Sequence, residues 1–282
     1  MTHRRILVWA ALAAVLGWGG DAAAGWVIDQ AVKGGPGEGA RQQILVQANR
    51  MKTVSLGPDG RPQQAFIMDL DAETLTQVDY GERRYVTATI EEYVQAMTGA
   101  AQAAAGHMAE ARQQMEQALK DMPPEQRKMM EQMMRQQMPQ GGGPGAAGCV
   151  EPRREVRKTG QQATIAGFPA VRWEVLADGK VQSEVWVAPS LGVARELDAR
   201  KLQQFGAAMS KVSACGPGQG AGRASDPGWK LVAEGYPVRT VVPEAGGTTV
   251  EVVKAESRAV PPTEFQPPGG FARKTLREMM GQ

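Results

Sequence analysis

Set aside the leader described below, and the chain contains one histidine, His107, and two cysteines, Cys149 and Cys215. That inventory is poor for catalysis. Ser-His-Asp hydrolysis, Cys-His nucleophilic catalysis and His-rich zinc sites each need imidazole as base or ligand. His107 sits in "AAAGHMAEA", and its pattern predicts a solvent-facing helix position. The adjacent Glu91 and Glu92 fit the opening turn of a helix, where negative charge is favoured. Asp69 and Asp71 flank a strand end and its turn, so neither pair has the look of an acid/base couple. "GPGQGAG" follows Cys215 and leads into "RASDPGW"; a phosphate cradle needs a strand before it and a helix after. These residues point away from an enzyme and imply no cofactor.

The other side chains with chemistry are methionines. "PPEQRKMMEQMMRQQMP" places Met129, Met130, Met133, Met134 and Met138 at steps of one, three and four, a broad stripe on a helix. Three uses fit such a stripe. Flexible thioethers fill irregular gaps against a neighbouring element. The same adaptability suits an apolar ligand such as an acyl chain. Thioethers also match soft Cu(I), for which Met130, Met133 and Met134 are the candidate set, although no His or Cys flanks them.

The chain reaches its compartment through its first residues. "MTHRR" is a basic n-region, "ILVWAALAAVLGWGG" an apolar h-region, and Ala22 and Ala24 supply the small-residue cleavage pattern. Residues 1–24 therefore read as a signal peptide cleaved after Ala24, delivering the rest to the periplasm. No later apolar run approaches the ~20 residues of a membrane span. In an oxidising compartment the simplest reading of Cys149 and Cys215 is one disulfide; a thiol pair used in metal or redox chemistry is the alternative. A formal charge of +2 and the lack of a dense Lys/Arg tract exclude a nucleic-acid footprint.

The elements that must position these residues are mostly strands. "GWVIDQAV", "QQILVQANRMKTVSL", "QAFIMDLD", "ETLTQVDY" and "RRYVTAT" make a first β block over residues 25–88, with Phe66, Met68 and Leu70 on one face of their strand. Thr89 and Glu92 form a capping box opening a helix. Its seam runs Ile90, Val94, Met97, Ala101, Ala104, Met108, Ala111, Met115, Ala118, Met122, in steps of four and three. Pro123 and Pro124 end that helix and start a second through Met138, so residues 89–138 read as a Met-rich helical hairpin. Residues 139–149 are a Gly/Pro linker. A second β block over 150–282 completes the domain. It contains a hairpin turned at Asp178-Gly179, a helix over about 195–213, and strands in "WKLVAEGY", "VRTVVPE" and "TTVEVVKAESRAV".

Three stretches carry a resemblance: "KTGQQATIAGFPAVRWEVLADGKVQSEVWVAP", "FIMDLDAETLTQVDYGERRYV" and "EFQPPGGF". Their shared elements are Ile165-Ala166-Gly167, Trp173 and Trp186-Val187-Ala188. The chain thereby resembles an uncharacterised bacterial envelope family, a domain of unknown function grouped with the LolA/LolB-like lipoprotein carriers. The resemblance implies a mainly β fold, a curved antiparallel half-open β-barrel with helices over its mouth. The leading expectation is a non-enzymatic binding protein for an apolar small molecule or lipid, with Phe66, Met68, Trp173, Trp186 and the five methionines of the stripe as candidate lining chosen from their apolar character and not from the resemblance. The rival expectation is an interaction module that docks an envelope protein through its helical hairpin.

Overall fold

In the computed structural model, residues 25–120, 153–210, 231, 234–243 and 246–279 are described. The proposed leader, the second helix of the hairpin, the linker and both cysteines lie outside them, as does the Cys149–Cys215 pairing. The strands are β1 (Gly25–Lys33), β2 (Arg41–Gln47), β3 (Arg50–Leu56), β4 (Pro62–Asp69), β5 (Thr74–Asp79), β6 (Arg84–Thr89), β7 (Arg154–Ile165), β8 (Phe168–Ala177), β9 (Lys180–Ala188), β10 (Tyr236–Val242), β11 (Thr248–Arg258) and β12 (Ala272–Arg273). The helices are α1 (Ile90–Lys120), α2 (Ala199–Ser210) and α3 (Leu276–Met279).

The twelve described strands join one open sheet in the order β12-β6-β5-β4-β3-β2-β1-β11-β10-β9-β8-β7. Pairing is antiparallel except for the two-residue contact of β12 with β6. This is the mainly β, unclosed antiparallel architecture expected. Turn chemistry explains the meander. Ala166-Gly167 and Asp178-Gly179 both adopt positive φ, the two-residue turn whose twist matches the flanking strands. Ala48-Asn49 does the same, which splits the run read as one strand, "QQILVQANRMKTVSL", into β2 and β3. Register shifts interrupt the β1/β11, β3/β4, β7/β8, β8/β9 and β9/β10 pairs, and such bulges increase local twist.

The sheet's first half is buried on both faces. Neighbouring residues of a strand point to opposite sides. Val27, Leu45, Val54, Ala65, Ile67 and Val78 accordingly form one cluster, while Ile28, Val46, Met51 and Met68 belong to clusters on the other face. Two crossing segments cover these faces. After β9, residues 189–198 run past β10, β1 and β2, burying Leu191 and Val193 against Ile28 and Val46. The segment is fixed where the Asn49 amide donates to the Glu196 carbonyl (2.7 Å) and the Asp198 amide to Asn49 Oδ1 (2.7 Å). Asp198 then caps α2, accepting from the amides of Arg200 and Lys201. That cap places the helix start at Ala199 rather than near 195.

On the opposite face, residues 259–279 return after β11. The Val260 amide donates to Gln47 Oε1 (2.6 Å), Phe265 is buried under the Arg50 guanidinium, and Phe271 meets Tyr80 edge-on at 5.6 Å. Lys52, buried within the sheet, reaches Glu264 on this segment at 3.3 Å. One expected strand differs: in "WKLVAEGY", Leu231 and Glu234 are helical, and Leu231 packs on Val185 and Val187 before the chain reaches β10.

Candidate functional site

Two helix starts converge at one end of the sheet. β6 passes directly into α1, where the Ile90 amide donates to the Glu73 carbonyl (2.9 Å). The capping box forms as its residues dictate: the Thr89 amide donates to Glu92 Oε2 (2.8 Å), and the Glu92 amide to Thr89 Oγ1 (3.1 Å). The hydrogen bond from the Thr89 amide, and after it the Thr89 side chain, holds the Glu92 carboxyl below the usual carboxylate range. α2 arrives from the other side and docks on β4, Leu202 packing with Met68 and Leu70.

Between the helices lies a cleft of about 470 Å³. Leu70, Ile90, Val94, Phe205 and Ala208 supply its apolar lining, and Glu73, Glu91, Lys201 and Gln204 its polar groups. Lys201 Nζ is 2.6 Å from Asp71 Oδ1, which also accepts from Asn49 Nδ2 at 2.9 Å. The hydrogen bond from Lys201 is the main reason the Asp71 carboxyl titrates below its ordinary range, and the same bond raises the Lys201 ammonium. Glu91 Oε1 accepts from Gln95 Nε2 (3.2 Å), one helical turn on. Asn49, Asp71 and Asp198 thus tie the β2–β3 turn, the β4–β5 turn and α2 together, fixing one wall of the cleft.

Of the residues expected to line an apolar cavity, the four that are described, Phe66, Met68, Trp173 and Trp186, lie in different places. Met68 is buried beside Leu70 and Leu202, in the core under the cleft. Trp186 packs against the cluster built on Ile28 and Val46. Trp173 lies on a separate cluster with Val185, Val187 and Leu231, and Lys158 Nζ stands 5.2 Å from its ring. Phe66 is 43% exposed, although it shares its strand face with Met68. Met129, Met130, Met133, Met134 and Met138, including the Cu(I) set, lie outside the described residues. His107 is exposed on α1, 3.8 Å from Glu110. Among the described residues no group of three or more His, Cys, Asp or Glu side chains is arranged to hold a metal ion. No described helix is long and apolar enough to cross a membrane, which says nothing of a β-barrel. Leu70 and Phe205 appear in the sequence only as apolar positions of a strand and a helix; the signal that makes them site residues is the meeting of two amphipathic helices over one strand end.

No curated protein matches the sequence. Among solved structures, an uncharacterized conserved protein from Thermus thermophilus aligns over 90% of this chain and 91% of its own, at 9% identity and a TM-score of 0.42. The MucA/MucB complex of Pseudomonas aeruginosa aligns over 91% of this chain and 60% of the matched chain, at 12% identity and a TM-score of 0.37. PNGF-II aligns over 92% of this chain and 32% of its own, at 8% identity and a TM-score of 0.37. The resemblance seen in the strand motifs has a counterpart in a family model: residues 145–271, which hold β7 to β11, match the domain of unknown function DUF4412.

Proposed function

We propose that this protein is a non-enzymatic binding protein of the periplasm that holds an apolar chain, such as that of a lipid or a lipoprotein acyl group, between α1 and α2. The cleft carries this reading. Its volume of about 470 Å³ lies within the range of small-molecule sites, and its lining joins five apolar side chains to a few polar ones. The leader-like sequence of residues 1–24 supports the compartment. The sheet itself is a poor container, because both faces of its first half are filled by the crossing segments.

Native mass spectrometry of protein purified from its own periplasm, with extraction of any bound lipid, tests the proposal. Val94→Trp fills the cleft from α1 and should abolish copurification while the fold is retained. An empty wild-type protein that also fails to take up a neutral apolar dye refutes it.

One observation favours a second reading, a docking module for an envelope protein. α1 has 31 residues, about 46 Å of helix. Along its second half the described side chains of Gln102, Ala103, His107, Glu110 and Ala111 are exposed. Deleting residues 102–138 would abolish partner capture under this reading and leave lipid uptake intact under the first.

A further inference from the structure

The charges around the cleft narrow the kind of amphiphile it takes, given the binding role proposed above. A carboxylate or phosphate head needs a free cation or an uncapped helix N-terminus. The cleft offers neither among the described residues. Lys201 is the one cation in its described lining, and Asp71 holds that ammonium at 2.6 Å. The N-terminus of α1 is closed by the Glu92 carboxylate and that of α2 by Asp198. Two carboxylates remain in the lining. Among the described residues Glu91 accepts from the neutral amide of Gln95, which brings no counter-charge. Glu73 adds its field to Lys201 without forming an ion pair with a described residue.

We infer that the cleft selects single-chain amphiphiles with a cationic, amine-type head and disfavours those with an anionic head. The chain lies against Val94, Phe205 and Ala208, and the ammonium reaches Glu73 and Glu91. Charge complementarity sets this choice, since the apolar lining treats chains of equal length alike.

The test compares decylamine, decanol and decanoate at neutral pH, each below its micelle concentration, as competitors of a neutral fluorescent dye bound to the mature protein. Decylamine should bind on the order of tenfold more tightly than decanoate, with decanol between them. Raising salt from about 0.02 M to about 0.5 M should shrink that ratio, because the carboxylates are solvent-accessible. The double variant Glu73→Gln/Glu91→Gln should shrink it too; the salt series on wild-type protein keeps the test valid if that variant folds poorly. Decanoate binding as tightly as decylamine, or a preference indifferent to salt, overturns the inference and leaves the cleft as an apolar site. Failure of all three compounds to bind overturns the binding role itself.

Discussion

Lys52 and Glu264 form an ion pair with unequal halves, and the two halves should respond oppositely to mutation. Lys52 comes from the middle of the sheet, and its side chain is 9% exposed; Glu264 lies on the returning segment and is 48% exposed. Removing Glu264 leaves an ammonium buried without its counter-charge. Removing Lys52 leaves a carboxylate that water already solvates. A fully buried pair broken on one side costs about 3–5 kcal/mol, and the solvation of Glu264 screens that figure downward. Glu264→Gln should therefore destabilise by about 1–3 kcal/mol. Lys52→Met keeps the aliphatic stem between Leu45 and Ile67, its cross-strand neighbours, and deletes the buried charge. It should be neutral within about 1 kcal/mol or stabilising. Urea unfolding with linear extrapolation reads both values, provided the slope is unchanged between variants. A Lys52→Met protein less stable than Glu264→Gln would refute the reasoning, since it would mean that the buried charge contributes more than its desolvation costs.

Three further outcomes are expected. Leu202→Ala, which empties the contact of α2 with Met68 and Leu70, should cost about 2–4 kcal/mol in chemical denaturation and weaken dye binding at the cleft. Gly235→Ala should lower the melting temperature markedly, because φ there is +143° and a new Cβ would stand 2.5 Å from the Ala188 carbonyl oxygen. Asp71 titrates below its ordinary range when folded, so its contribution is present above that range and is lost as pH falls through the lowered value. Asp71→Asn should accordingly narrow the stability difference between neutral and acid pH, measured as urea midpoints across the acid limb.

Local signals in the sequence were informative and long-range ones were not. Asp178-Gly179 names its own turn, and Thr89 with Glu92 names the start of α1, because the interacting groups lie within four residues. Ala48-Asn49 is a fainter signal: asparagine favours positive φ but alanine rarely adopts it, so "ILVQANRMKTV" carries half of a turn signature and reads as one strand. "FIMDLD" reads as a one-faced strand, yet Ile67 is as buried as Met68, because a distant segment carrying Phe265 covers the second face. The expected cavity lining follows from the same limit. Trp173 and Trp186 are large and apolar, but which cluster each joins is decided by bulges in β7–β10 and by Leu231. The cleft depends on Leu70 and Phe205 meeting, and no periodicity connects a strand end to a helix so far along the chain.

The neighbour relation of β1 and β11 has a consequence for how the protein matures. A polypeptide made from its N-terminus presents β1 through β6 early, and those hairpins can assemble from adjacent sequence. Their lower face stays bare until residues 259–279 emerge, and β1 keeps an unpaired flank until Thr248–Arg258 arrives. Completion is thus deferred to the end of synthesis, and a product clipped before residue 248 would present both an open backbone edge and a greasy surface to proteases.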